Sequence, residues 1–254
     1  METVRAERVL SAFRGSSWPV LVQTSDGRKL VVKLRGTAQG LLPLVAELVV
    51  GALADALSLA TPERCLVELA ADAPSDDPHE ELLDLLARSS GVNLGLTWLE
   101  GFRNVTAADA GRIGPELAAA IVWLDALVQN PDRTAQNTNL MIKAGQIRLI
   151  DHGAALDFHH DWRSVTEQTP RQPGAVVAKH LLRVSEEQLA VADRQLAPKL
   201  TREVLERALE QVPDEFLGGD ALRQRAAYVA YLWKRLKAPR PFVAPGPSFG
   251  RWPL

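Results

Sequence analysis

The chain has 254 residues, enough to bury a sizeable core as one two-lobed domain or two small ones. Its 29 basic and 31 acidic residues leave a net charge of −2 at pH 7, so broad attraction to nucleic acid is not expected. The single cysteine, Cys65, excludes an intrachain disulfide, and five histidines are too few to predict a zinc site. No charged and apolar leader opens the sequence, and we expect a soluble, cytoplasmic protein.

Two short apolar runs near the start predict a β-hairpin. Pro19–Gln23 and Lys29–Leu34 flank Asp26-Gly27, which is a strong turn signal. Lys33 falls on the second strand of this hairpin. Only about a dozen residues precede what we expect to be the first strand of the chain.

A long apolar segment, Leu41–Leu59, predicts a helix of about five turns. Glu47 is its only charge before Asp55, and a carboxylate in so apolar a helix is costly to bury without a partner. We therefore expect Glu47 to pair with Lys33. The alternatives are a lysine in water and a glutamate on an exposed helix face. Pro43 and the two carboxylates favour a core helix over a membrane span.

The segment that follows predicts the remainder of a small β-rich unit. Its expected elements are a strand, a solvated acidic loop, a short helix and a last strand, at Cys65–Leu69, Ala70–Glu81, Glu81–Arg88 and Gly95–Leu99. Glu100-Gly101 then permits a sharp change of direction. A hinge that binds adenine through backbone groups would fall at Leu99 and Glu100.

Helical spacing dominates the rest of the chain. The expected helices are Thr106–Ile113, Pro115–Gln129, one opened by a capping box at Ser185–Gln188, Thr201–Val212 and Ala221–Lys237. Pro131 ends the second of these helices and places Asp132 at its end. The proline-containing tail from Pro239 to Leu254 predicts irregular structure.

Three polar residues between the helices match the spacing of a kinase site. Asp132 and Asn137 are five residues apart, and Asp151 opens a D-x-G turn. In kinases, one Asp accepts the hydroxyl proton, the Asn holds Mg²⁺, and the second Asp bridges the metal and the phosphates. The alternative is that Asn130–Arg133 is only a turn that ends a helix.

A second predicted hairpin separates these residues. Leu140–Lys143 and Gln146–Ile150 are short and aliphatic, and Ala144-Gly145 can supply the positive φ of a tight turn. Because a hairpin returns the chain to its starting point, Asn137 and Asp151 are expected to be neighbours. Oxygen ligands of this type suit Mg²⁺.

A short turn, Gly15-Ser16-Ser17, precedes the first hairpin. No G-x-G-x-x-G motif stands before Lys33, so this turn takes the place of a kinase glycine-rich loop. The phosphates would then be met by backbone N–H groups and serine hydroxyls.

Together these motifs resemble the HipA-like kinase family, in its short branch with a single kinase domain. The resemblance is carried by Phe13–Ser17 with Pro19, Asp26-Gly27, Val32–Leu34, Ala46–Leu48, Asn130–Arg133 with Asn137, Leu149–Leu156 and Phe158–His160. It implies an α+β, two-lobed protein-kinase-like fold. Residues 1–101 would form a small β-rich lobe with one long helix, and residues 102–254 a larger helical lobe.

The resemblance also implies ATP and Mg²⁺ as ligands and a role for each motif. Asp132 would be the base, and Lys33, held by Glu47, would contact the α- and β-phosphates. The metal ligands would be Asn137 and Asp151, and the nucleotide contacts Gly15, Ser16, Ser17, Lys33, Leu99 and Glu100. Relatives inactivate themselves by phosphorylating a serine of the loop that corresponds to Gly15–Ser17.

Two departures limit what the resemblance transfers. Toxin-type members carry a longer N-terminal region that assembles with a DNA-binding antitoxin, which weakens any transfer of the toxin role. A histidine, His152, stands where protein kinases have phenylalanine, and alone it is more often a loop residue than a catalytic group.

The expected function is a kinase that uses ATP and Mg²⁺ to phosphorylate a hydroxyl, with a protein serine or threonine as the first hypothesis. The alternatives are a kinase of a small metabolite or peptide natural product, a nucleotide-binding pseudokinase and a helical interaction module. We expect no direct contact with nucleic acid or membrane. The sequence leaves the acceptor and the oligomeric state open.

Overall fold

The computed structural model describes residues 1–14, 17–174 and 176–243, which form eight strands and nine α-helices. The strands are Thr3–Ala12 (β1), Val20–Thr24 (β2), Lys29–Lys33 (β3), Arg64–Leu69 (β4), Gly91–Thr97 (β5), Arg103–Asn104 (β6), Leu140–Lys143 (β7) and Gln146–Leu149 (β8). The helices are Leu42–Ala56 (α1), Glu80–Arg88 (α2), Ala107–Ala110 (α3), Pro115–Val128 (α4), Val176–Lys179 (α5), Glu186–Leu196 (α6), Arg202–Glu210 (α7), Asp214–Leu217 (α8) and Ala221–Leu236 (α9). Short 3₁₀ helices lie at Asp157–His160, Thr169–Arg171 and Ala197–Lys199.

The strands β1 to β5 form a closed barrel in the order β1-β2-β3-β5-β4. Neighbours are antiparallel except β1 and β4, whose parallel pairing closes the barrel. The predicted hairpin of β2 and β3 is confirmed, and Gly27 adopts the positive φ of +83° that its turn requires. Apolar side chains inside the barrel pack with Leu82 and Leu86 of α2.

The sequence analysis was wrong about the first strand, because β1 precedes the predicted one. Register shifts between Ala6 and Arg8 and between Val9 and Ser11 interrupt its pairing with β2. Each bulge changes which side chains point inward, so the apolar residues of β1 do not keep a period of two. The alternation that identified β3 was therefore missing from β1.

The helix α1 is buried on all sides, as its apolar sequence requires. Residues 44–54 are all buried, and they share a core with Leu94 and Leu96 of β5 and with the C-terminal helices, including α7. The same helix therefore packs against both the barrel and the helical part of the chain. Within the described ranges, no helix is long and apolar enough to cross a membrane.

The helix α4 ends immediately before the predicted catalytic segment. Gln129 follows it in the left-handed conformation, with φ of +55°. The buried Arg235 of α9 donates hydrogen bonds of 2.9 Å to the carbonyls of both Ala126 and Leu127. These donors satisfy carbonyl groups that the end of a helix leaves unpaired.

The predicted hairpin of β7 and β8 is also confirmed. Ala144 and Gly145 both have positive φ, +47° and +80°, as a two-residue turn of the I′ type needs. The capping box is present too, because Ser185 Oγ accepts from Gln188 N–H and Gln188 Oε1 accepts from Ser185 N–H. Residues 244–254 of the predicted irregular tail lie outside the described residues.

His159, on the 3₁₀ helix Asp157–His160, makes the stability of the fold depend on pH. The ring is 3 % exposed, its Nδ1 lies 2.9 Å from the hydroxyl of Tyr228, and burial lowers its pKa to about 3. The unfolded chain takes up a proton below about pH 6.5, whereas the folded chain does not. We therefore expect stability to fall between pH 6.5 and 3 by up to about 1.4 kcal/mol per pH unit from this group.

Urea unfolding of the parent and of His159→Phe at about pH 7.5 and about pH 5.5 tests this expectation. The variant should lose less stability than the parent on acidification. His160→Gln, which changes the exposed neighbour, is the control and should keep most of the parent's pH dependence, because burial is the larger cause of the lowered pKa of His159 and the charge of His160 the smaller. Equal pH dependence in the parent and His159→Phe would contradict the linkage.

Candidate active site

A buried aspartate of α4 holds the loop that follows this helix. Asp125 accepts hydrogen bonds from Asn130 Nδ2 (2.9 Å), Arg133 Nε (2.6 Å) and His180 Nε2 (2.9 Å). Burial alone would raise the pKa of Asp125, but Arg133 and His180 hold it well below its usual range. The N–H of Leu182 donates to His180 Nδ1 at 3.0 Å, so the ring hydrogen is on Nε2 and points at Asp125.

Arg133 joins this loop to the D-x-G turn. Its guanidinium is 1 % exposed and donates to the carbonyl of Asn139. The same group lies 3.4 Å from Nδ1 of His152. A buried arginine with several acceptors holds these backbone segments in one arrangement.

Asp132 lies between Asn130 and Arg133 in this loop, and its side chain faces away from the core. Its N–H donates to Asn130 Oδ1 at 3.1 Å, and its Oδ2 accepts from Asn137 Nδ2 (2.8 Å) and Asn139 Nδ2 (3.1 Å). In the part of the chain that the structure describes, no donor contacts the other oxygen, Oδ1. That oxygen is available to accept a proton.

The predicted contact between Lys33 and Glu47 is present, and Asp151 joins it. Lys33 Nζ donates to Glu47 Oε1 and, at 2.5 Å, to Asp151 Oδ1, while the N–H of His152 donates to Glu47 Oε1 at 2.8 Å. Asp151 has a φ of +55°, which turns the chain sharply after β8.

Burial and pairing shift the pKa values of these three groups. Burial alone would lower the pKa of Lys33, but the two carboxylates raise it above its usual value. Burial raises the pKa of Glu47, which is 2 % exposed. Burial also acts to raise the pKa of Asp151, but the charge of Lys33 lowers it overall. Lys33 is therefore a cation held between two carboxylates.

Two cavities meet at Lys33 and Asp151, which line both. One has a volume of about 410 Å³ and mainly apolar walls. Its lining includes Phe13, Val31, Leu96, Trp98, Leu99 and Ile150. The other, of about 550 Å³, has walls that are about half polar, and their polar residues include Ser17, Gln39, Asp132, Asp157 and His160. We call them the apolar cavity and the polar cavity.

Some of the residues that were predicted to contact the nucleotide line these cavities, and one does not. Ser17 lines the polar cavity and Leu99 lines the apolar one. Glu100 lines neither, and its carbonyl accepts a hydrogen bond of 2.9 Å from Lys143. Gly15 and Ser16 lie outside the described residues.

The two predicted metal ligands line different cavities. Asp151 lines the polar cavity together with Asp132, whereas Asn137 lines another cavity beside Asn104 and Ile150 and donates a hydrogen bond of 2.8 Å to Asp132. Across residues 1–14, 17–174 and 176–243, no group of three or more His, Cys, Asp and Glu residues could hold a metal. The predicted set instead combines one carboxylate, Asp151, with one amide, Asn137, and Mg²⁺ takes few protein carboxylates and relies on water and substrate phosphates.

Sequence reasoning missed the buried network of Asp125, Arg133 and His180. Asp125 is a charge inside an apolar helix, as Glu47 is, so the same argument would have predicted a partner for it. It also missed an aromatic pair at the apolar cavity, where Phe13 and Trp98 stack with centroids 5.9 Å apart. No spacing rule connects those two positions.

Comparison with known proteins identifies the family. A model of the HipA-like kinase family matches residues 7–230. The chain belongs to the HipA-like kinase family. It is therefore an enzyme of the phosphotransferase class. No curated protein matches the chain.

Solved structures similar to this HipA-like kinase share its fold at low sequence identity. The proinflammatory kinase CtkA of Helicobacter pylori is 12 % identical, with a TM-score of 0.51 over 89 % of this chain and 93 % of that one. The Golgi casein kinase is 10 % identical, with a TM-score of 0.50 over 92 % and 73 %. A second structure of it, with Mn and ADP bound, has the same identity and TM-score over 92 % and 71 %. The fold is kinase-like.

Proposed function

We propose that this HipA-like kinase uses Mg²⁺ and ATP to phosphorylate a hydroxyl group, most directly a serine or threonine of a protein. The observation that carries the proposal is the meeting of an apolar and a polar cavity at Lys33 and Asp151. Such an arrangement suits a nucleotide, because the aromatic faces of its base pack against apolar side chains and its phosphates are charged. In this proposal residues 1–101 and 102–254 are the two lobes, and the cavities lie where they meet.

The apolar cavity would take the adenine. Leu99 lines it, and among the described residues no acceptor binds the Leu99 N–H, which leaves this donor for the base. Glu100 is a weaker candidate for this contact, because Lys143 already binds its carbonyl. The phosphates would then lie at Lys33 and Ser17, and contacts from Gly15 and Ser16 stay predictions.

The donor set around Asp132 fits Mg²⁺. Asp151 and Asn137 offer carboxylate and amide oxygens, and the Asn137 amide nitrogen is already used by Asp132, which leaves Oδ1 free as a ligand. A bound Mg²⁺ would neutralise charge on the phosphates during transfer. Asn137 and Asp151 would hold the ion, and Lys33 would hold the phosphates and Asp151 together.

Asp132 would act as the base. Its Oδ1 is free, while Asn130, Asn137 and Asn139 fix the orientation of the group. A positioned carboxylate can accept the proton of a hydroxyl as its oxygen bonds to the γ-phosphorus and the bond from that phosphorus to the leaving ADP oxygen breaks. Arg133 and Asp125 keep the loop in place from the core side.

The acceptor would enter through the polar cavity. One structural relative is described as a casein kinase, and casein is a protein, which favours a protein acceptor. A small metabolite or peptide acceptor would use the same Asp132 and remains the alternative hypothesis. The cytoplasmic location and the lack of nucleic-acid contact stay predictions.

Incubation of the purified protein with γ-labelled ATP and Mg²⁺ tests the function. We expect label transfer to added casein or to the protein itself, or release as phosphate. Transfer to free serine, threonine or a sugar but not to casein would favour the small-molecule alternative. Absence of nucleotide binding and turnover would contradict the proposal.

Asp151→Ala tests the metal assignment. The variant should lose the tightening of ATP binding that Mg²⁺ produces, because one of the two proposed protein ligands is gone. Calorimetric titration with ATP, with and without Mg²⁺, measures the effect. Asp84→Ala, which changes an exposed carboxylate on α2, is the matched control and should keep the full metal effect. An equal metal effect in Asp151→Ala and the parent would remove Asp151 as a ligand.

A further inference from the structure

A much smaller cavity lies beside Glu47. Its volume is about 10 Å³, near the lower limit for holding one water molecule. Its walls include Glu47, Gly51, Thr61, Arg64 and His152. It therefore lies between α1, β4 and the D-x-G turn.

His152 directs an N–H group into this part of the core. Its Nδ1 faces the guanidinium of Arg133, which can only donate, so the hydrogen of the neutral ring is on Nε2. The residue is 2 % exposed, and Nε2 has no hydrogen-bond partner among the described residues. A buried donor without an acceptor is destabilising.

Arg64 supplies a second buried donor to the same cavity. Its terminal nitrogens bind Thr61, at 2.8 Å, and Asp55, but its Nε is buried without a partner in the described part of the chain. The guanidinium lies flat against α1 at Gly51. A Cβ at Gly51 would lie only 2.8 Å from Nε, so the missing side chain makes room for the arginine.

We propose that this cavity binds one ordered water molecule, which accepts hydrogen bonds from Arg64 Nε and His152 Nε2 and donates to the Glu47 carboxylate. A water molecule has two acceptor sites, which match the two unpaired donors, and a hydrogen for Glu47. Buried waters typically make about three such bonds to groups that would otherwise be unsatisfied. The proposal does not depend on phosphoryl transfer.

The water would make Arg64 and His152 positioning residues for Glu47. Glu47 already accepts from Lys33 and from the His152 N–H. A further hydrogen bond, donated by the water on the side away from Lys33, would hold the Glu47 carboxylate in one orientation. The histidine of the D-x-G turn thereby gains a role that phenylalanine could not fill, because phenylalanine has no N–H.

A crystal structure of the unliganded protein at near-atomic resolution is the direct test. We expect a density peak within hydrogen-bonding distance of both Arg64 Nε and His152 Nε2. A structure in which either nitrogen binds a protein acceptor directly, or in which the cavity is closed, would overturn the proposal. This test requires no variant to fold.

A double-mutant cycle tests the bridge by its energy. His152→Phe and Arg64→Met each remove one donor to the water. Once one donor is gone the water is held less well, so removing the second donor costs less stability than it does in the parent. The unfolding equilibrium constant of the double variant should be about tenfold lower than the two single effects predict together.

Arg64→Met combined with His159→Phe is the control pair, because His159 does not line this cavity. The unfolding equilibrium constant of this double variant should change by the product of the two single effects. Agreement of the His152→Phe and Arg64→Met pair with the product of its single effects, within about twofold, would overturn the proposal.

Discussion

Asp132→Asn is expected to lower phosphoryl transfer at least about a hundredfold, which is the usual scale for loss of a general base. The amide cannot accept the hydroxyl proton, but it keeps the shape of the carboxylate and can still bind Asn137 and Asn139 through its oxygen. The buried anchor of Asp125 and Arg133 is unchanged. Nucleotide affinity should therefore survive the substitution.

Single-turnover transfer from labelled ATP and equilibrium binding of ATP, measured on the same preparation, separate these effects. Asp84→Asn makes the same chemical change at an exposed position of α2 and should transfer phosphate like the parent. Parent-like turnover in Asp132→Asn would remove Asp132 from the role of base. Loss of nucleotide binding as well would point to a structural role instead.

Lys33→Met should destabilise the fold by about 3 kcal/mol and weaken ATP binding, because it leaves the buried Glu47 carboxylate without its cation. The effect should come mainly from Glu47, which is 2 % exposed, since the Asp151 side chain is 45 % exposed and can be hydrated. Methionine keeps most of the aliphatic volume of lysine. Lost packing therefore contributes little to the expected change.

Urea unfolding and calorimetric titration with ATP measure the two effects. Lys29→Met changes an exposed lysine on the same strand and should leave both properties unchanged. Adding Glu47→Leu to Lys33→Met should restore part of the lost stability, because it removes the unpaired charge, but it should not restore nucleotide affinity. A melting curve like the parent's in Lys33→Met would mean that the contact contributes nothing to stability.

The sequence determined the local parts of this protein. Gly27 and Gly145 marked the turns of two hairpins, because glycine readily adopts the positive φ that both positions have. The spacing of Asp132, Asn137 and Asp151 predicted a catalytic segment, and that assignment stays a prediction. The contact of Glu47 with Lys33 was predictable as well, because a lone carboxylate in an apolar helix requires a cation.

Tertiary structure alone decided which distant residues complete the site. His180 meets Asp125 across 55 positions of sequence, and Phe13 stacks on Trp98 from the opposite end of the barrel sequence. The strand β1 was missed because its bulges break the alternation that a sequence pattern needs.

The two cavities also depend on the tertiary structure and not on local sequence. A turn or a helix cap depends on neighbouring residues, so its signal is written locally in the chain. The apolar and polar cavities exist only because the barrel, α1 and the loop that carries Asp132 pack together around Lys33 and Asp151. Their volumes depend on the shapes of residues far apart in sequence, because packing acts between surfaces and not along the chain.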